Sequence, residues 1–141
     1  MKKAVVFYQS KTGTTKGYAK EIEEYLRKKQ IEARSFHINE YSDGLTEDID
    51  YVLLGCWTKG LMVVLQKPDN EWADFVKSID LPDSSRVALF ATYKIRTGSM
   101  FRNMAKQITN DDNNIIPKLK SKDGKLSDTD CAVLDEFIGA A

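Results

Sequence analysis

The sequence predicts an α/β chain: a doubly wound, five-stranded parallel sheet with helices on both faces. Two observations carry this. Short apolar runs and segments of helical periodicity alternate from end to end, which is the signature of βαβ units. The strongest runs, 4–8 and 51–55, are nearly continuous rather than alternating, as strands buried on both faces require.

The elements follow in order. Ala4 to Tyr8 is the first strand. Tyr18, Ile22, Tyr25 and Leu26 recur at helical spacing, and Lys28 and Lys29 stand where a helix dipole favours cations. Ala33 to Ile38 is a second strand, and Tyr51 to Gly55 a third. Trp72, Phe75, Val76 and Ile79 make a helical stripe, read as core, and Pro82 closes that segment. Arg86 to Ala91 is the fourth strand. Met100, Phe101, Met104 and Ile108 mark another helix. Ile115 and Ile116 open a weak fifth strand, which Pro117 makes an edge or an irregular stretch. Ser127 precedes a last helix with Cys131, Leu134 and Ile138 on one face, and Asp128 and Asp130 near its positive end.

Composition agrees with one domain spanning 1–141. The chain has 141 residues, 42% of them hydrophobic and 30% charged, enough for a core without a disulfide or metal staple. The apolar run after Met1-Lys2-Lys3 is too short for a signal peptide, and no stretch approaches a membrane helix. Two cysteines, Cys56 and Cys131, and one histidine, His37, make neither a disulfide framework nor a zinc site. A reducing cytoplasm is the expected compartment. Net charge is zero, which argues against a general nucleic-acid binder. That zero is assembled from blocks: residues 1–35 and 85–125 are basic, whereas 36–84 and 126–141 are acidic.

Ligands of such sheets bind at the C-terminal ends of the strands. The loops that matter are therefore 9–15, 55–62 and 92–99. In the first, Ser10-Lys11-Thr12-Gly13-Thr14-Thr15 follows a strand and opens a helix. Free N–H groups and the helix dipole attract an anion there, and Gly13 permits a tight turn. Neither G-x-x-x-x-G-K-[ST] nor G-x-G-x-x-G is present. Cys56 lacks the nearby Arg of a phosphatase loop, and Gly55-Cys56 stand where a receiver domain needs Asp. No Ser/His/Asp, Cys/His or paired-carboxylate constellation appears, and His37 lies away from the three loops.

The pattern [ST]-x-T-G-x-T, carried by Ser10, Thr12, Gly13 and Thr15, resembles the phosphate loop of flavodoxins. The five-strand alternation resembles that family over essentially the whole chain, and the length resembles its short-chain branch. The resemblance implies strand order 2-1-3-4-5 and bound FMN. Its phosphate would be held by Ser10, Thr12, Thr14 and Thr15, with the backbone around Lys11 and Gly13. It implies that Trp57, in Cys56-Trp57-Thr58-Lys59-Gly60, and Tyr93, in Thr92-Tyr93-Lys94, flank the flavin ring, with Gly98 closing the second loop. The resemblance also implies a peptide in this loop that flips on reduction, and Gly60 is the residue best suited to it. Cys56 is expected to be a small buried residue, although Lys59 could lower its pKa.

The implied function is electron transfer between redox partner proteins, a reductase and an acceptor, through flavin semiquinone and hydroquinone states. The chain is expected to be a monomer using neither nucleic acid nor membrane. No side chain does acid–base chemistry in this reading. Two alternatives stay open: a small FMN-dependent quinone or small-molecule reductase, and a binding module with a degenerate flavin site. One departure from the family stands out. Flavodoxins are typically acidic around the flavin, whereas these loops carry Lys59, Lys94 and Arg96 and no Asp or Glu, with Arg102 and Lys106 following. Cations there would make the hydroquinone/semiquinone potential less negative and would suit an acidic or anionic partner.

Overall fold

The computed structural model describes residues 1–41, 48–58, 69–79, 81, 84–94, 99–108 and 116–139. Five strands form one parallel sheet: β1 (Lys3–Gln9), β2 (Glu32–His37), β3 (Tyr51–Trp57), β4 (Arg86–Thr92) and β5 (Lys118–Ser121). Their order is β2-β1-β3-β4-β5, so the connection reverses direction at β1 and β3. Among the described residues four α-helices accompany them: α1 (Thr14–Lys28), α2 (Asn70–Ser78), α3 (Met100–Lys106) and, after β5, α4 (Asp128–Phe137). None is long and apolar enough to cross a membrane.

Strand alternation sends β1 side chains to two cores. Ala4, Val6 and Tyr8 meet Tyr18, Ile22 and Leu26 of α1 and Leu134 and Phe137 of α4. Val5 and Phe7 meet Trp72 and Val76 of α2 and Met100 and Met104 of α3. Both faces of the sheet are thus covered, which explains the unbroken apolar runs of β1 and β3. Gly55 is required in β3 because the Phe90 ring of β4 occupies the space a Cβ would take.

Several expected boundaries move. Strand three runs two residues further, to Trp57, paired with Thr92 of β4. Strand two stops at His37. Ile38 instead starts a single 3₁₀ turn, where His37 Nδ1 accepts from the Asn39 N–H at 3.1 Å and Glu40 accepts from the His37 N–H at 3.0 Å. Ile108 lies past the end of α3, and Ile138 caps α4. Among the described residues the fifth strand begins at Lys118, and Ile116 lies before it. Pro117 has no N–H to give a ladder, though its carbonyl accepts from Leu89 N–H at 2.9 Å. Among the described residues β5 pairs only with β4, and it buries Leu119 and Ser121 while Lys120 is exposed. A search for apolar runs passes over such an alternating edge strand. Lys59, Gly60, Pro82, Arg96, Gly98 and Ile115 lie outside the described residues.

Candidate functional site

The site is assembled at the C-terminal edge of the sheet. β1 delivers the chain to Ser10, and α1 begins four residues later. Ser10 Oγ accepts from the Gly13 N–H at 3.0 Å and from the Lys16 N–H at 3.3 Å, closing the loop on itself. Gly13 has φ +94°, in the left-handed region, and a Cβ there would meet no atom within 4 Å. Glycine is needed for its backbone angle rather than for space. No side chain caps α1 at Gly13, and its first turn holds no acid. The N–H groups of Thr12, Thr14 and Thr15 find no partner among the described residues. Donors and the positive end of the helix dipole are left open together. Thr12 is exposed and Thr14 half-buried. The Thr15 side chain is different: it is buried, and its hydroxyl lies 2.6 Å from the Thr92 hydroxyl.

The neighbouring strand ends reach the same edge in register. The Thr58 N–H donates to the Thr92 carbonyl at 2.8 Å, and the Tyr93 N–H to the Ser121 carbonyl at 3.2 Å. These two bonds carry the ladder past the strands and bring Trp57, Thr58, Tyr93 and Lys94 to one edge. Thr58 Oγ1 is buried and has no hydrogen-bond partner among the described residues. Cys56 belongs to β3 itself and is fully buried, its thiol 3.6 Å from Gln9 Oε1. The other end of the Gln9 amide donates to Asp69 at 3.1 Å and Glu71 at 3.3 Å.

Two lysines cover the two aromatics. Lys11 Nζ lies 5.0 Å from the Trp57 ring centroid, and Lys122 Nζ lies 5.8 Å from that of Tyr93. Such placement is the usual geometry of a cation over the negative face of an aromatic ring.

Sequence reasoning passed over the turn after β5. Ser121 Oγ accepts from the Gly124 N–H at 2.9 Å and the Lys125 N–H at 3.1 Å. Asp123 accepts from the Lys125 N–H at 3.0 Å. That bond, then the Ser121 hydroxyl, holds the Asp123 carboxyl below its usual range. Gly124 has φ +81°, and a Cβ on it would stand 2.7 Å from the Thr14 carbonyl oxygen. The turn therefore packs directly on Thr14, the first residue of α1. The dipeptide Asp123-Gly124 was the available signal.

A family model described as a flavodoxin domain matches residues 5–133. The chain belongs to the flavodoxin-domain family. Solved structures agree in fold. Oxidised flavodoxin 1 from Bacillus cereus is 22% identical, with a TM-score of 0.66 and 99% of each chain covered. Flavodoxin from Fusobacterium nucleatum, bound to flavin mononucleotide, is 16% identical, with a TM-score of 0.59, covering 99% of this chain and 96% of that one. Rubredoxin oxygen:oxidoreductase from Desulfovibrio gigas is 16% identical, with a TM-score of 0.66, and is matched over 97% of this chain but 34% of its own length. No curated protein matches the chain.

The flavodoxin-domain chain has donors suited to a phosphorylated flavin. Its open N–H groups suit a phosphate, and its aromatic pair suits a flat ring. The buried, unpartnered Thr58 hydroxyl is a polar atom that a ligand edge would satisfy.

Proposed function

We propose that this flavodoxin-domain protein binds FMN and carries electrons between redox proteins. The observation that carries the reading is the phosphate loop: a strand, a hydroxyl-rich turn with left-handed Gly13, and a helix whose first N–H groups are unpartnered, within a chain of this family.

Each residue has a defined part in this reading. The N–H groups of Thr12, Thr14 and Thr15 donate to phosphate oxygens. Ser10 accepts two backbone bonds through Oγ, which leaves its own proton to donate outward. Thr12 and Thr14 add hydroxyl donors. The Lys11 backbone and Gly13 set the curvature of the loop. Trp57 and Tyr93 wall the ring, with the Thr58 hydroxyl and the Cys56, Thr92 and Lys94 backbone at its margin. Lys59, Gly60 and Gly98 belong to the same two loops and complete the set. FMN, when bound, supplies the redox chemistry, and the chain supplies binding, orientation and local charge. The protein works as a monomeric single domain in a reducing cytoplasm, where both cysteines stay thiols.

The absorption spectrum of the purified protein tests this. A flavin spectrum, with released FMN identified by chromatography, is the expected result. A colourless protein that takes up no added FMN contradicts it. Oxidation of a reduced nicotinamide by the FMN-loaded protein alone would favour a reductase over a carrier.

A further inference from the structure

Charge is handled differently at the two ends of this sheet. Ion pairs among the described residues include those of Lys2 with Asp50, Lys3 with Asp48, Lys20 and Arg27 with Glu23, and Lys29 with Asp135. They lie at the N-terminal ends of β1 and β3, or beyond the first turn of α1. At the opposite edge Lys11, Lys94 and Lys122 are exposed and have no carboxylate partner among the described residues. Carboxylates nearby are engaged in hydrogen bonds: the half-buried Asp69 and the exposed Glu71 accept from the Gln9 amide, and the exposed Asp123 accepts from the Lys125 N–H.

We propose that Lys11, Lys94 and Lys122 form a docking surface for an acidic redox partner protein. The proposal rests on the FMN reading, since two of these lysines lie over the aromatics that would flank the ring. A cation held over a ring face at an exposed edge remains hydrated and can still pair with an incoming carboxylate. The three lysines, two of them over rings, come from loops after three different strands, β1, β4 and β5. Their spread around the edge suits a protein surface, whose complementary charge steers encounter and fixes orientation.

The test uses FMN-loaded protein, chemically reduced, with two acceptors that differ in surface charge: basic cytochrome c and the same protein made acidic by succinylating its lysines. Rates are expressed per bound FMN. The acidic acceptor should react faster at low salt, and its rate should fall roughly three- to ten-fold as ionic strength rises from about 0.01 M to about 0.5 M. Lys94→Glu with Lys122→Glu should abolish or reverse that slope, and Lys122→Arg should retain it. Preference for the basic acceptor, or salt-independent rates with both, overturns the docking surface. FMN loading is read first from absorbance. Protein that takes up no FMN overturns the reading beneath the proposal, whereas loaded protein without acidic preference overturns the proposal alone.

Discussion

The hydroxyls of Thr15 and Thr92 lie 2.6 Å apart in the protein interior, joining the first turn of α1 to the end of β4. The contact ties the turn between β1 and α1 to the base of the Tyr93 loop. One hydroxyl donates and the other accepts, so each satisfies its neighbour. Thr15→Val or Thr92→Val strands the remaining buried hydroxyl and should cost about 1–3 kcal/mol. The double variant removes both polar groups and should recover part of that loss, a coupling that denaturant unfolding of all four proteins measures. Strict additivity would mean the contact contributes nothing.

Three glycines separate three kinds of cost. Gly55→Ala forces a methyl into the Phe90 ring and should destabilise by about 1–3 kcal/mol without a specific effect on FMN. Gly13→Ala meets no atom and should cost only the strain of φ +94°, about 1–2 kcal/mol. Gly124→Ala combines strain with a push on the Thr14 carbonyl. It should weaken FMN as well as lower Tm. Thermal melts with and without FMN distinguish the three.

The sequence made most of this architecture readable because buried parallel strands write themselves as apolar runs. β1, β3 and β4 are such runs. β5 is not, because an edge strand with Lys118 and Lys120 alternates with Leu119 and Ser121. The hydroxyls around Gly13 were equally legible, since residue type and spacing suffice to mark a helix start. The pairing of Thr15 with Thr92 was not legible: it joins positions 77 residues apart, and only the β1–β3–β4 register brings them together. The same holds for Lys122 over Tyr93, which depends on the β4–β5 register.

Alkaline stability reports the Tyr18–Asp130 bond. The Tyr18 phenol is pushed far up, first by burial and then by donating to Asp130 at 2.6 Å. The folded state holds this proton more tightly than the unfolded state. Its contribution is therefore complete below the ordinary tyrosine value near 10 and is lost progressively above it. Tyr25, pushed up to about 12 chiefly by its bond to Asp135, adds a decline of the same sign between about 10 and about 12. Tyr18→Phe should be less stable at neutral pH by about 1 kcal/mol and should show a shallower loss from about pH 10 to 11. Parallel slopes for the two proteins would contradict this account.

The lysines near the aromatics should also raise the potential of bound FMN. Fully reduced flavin gains negative charge, and adjacent cations stabilise that form. Replacing Lys94 and Lys122 with Gln should lower the midpoint of the second electron in a redox titration. The shift should shrink at high salt, because both side chains are exposed. An unchanged midpoint at low salt would show that these charges do not act on the flavin.

The central claim is that the loop from Ser10 to Thr15 holds a phosphate. Fluorescence titration of the apoprotein with FMN and with riboflavin, which lacks only that phosphate, tests it directly. FMN should bind far more tightly than riboflavin. Thr12→Val should weaken FMN while leaving riboflavin nearly unchanged, narrowing the gap by roughly ten-fold, about 1.4 kcal/mol for a lost charge-assisted bond. Equal affinities for the two flavins, or equal losses for both in the variant, would contradict the claim.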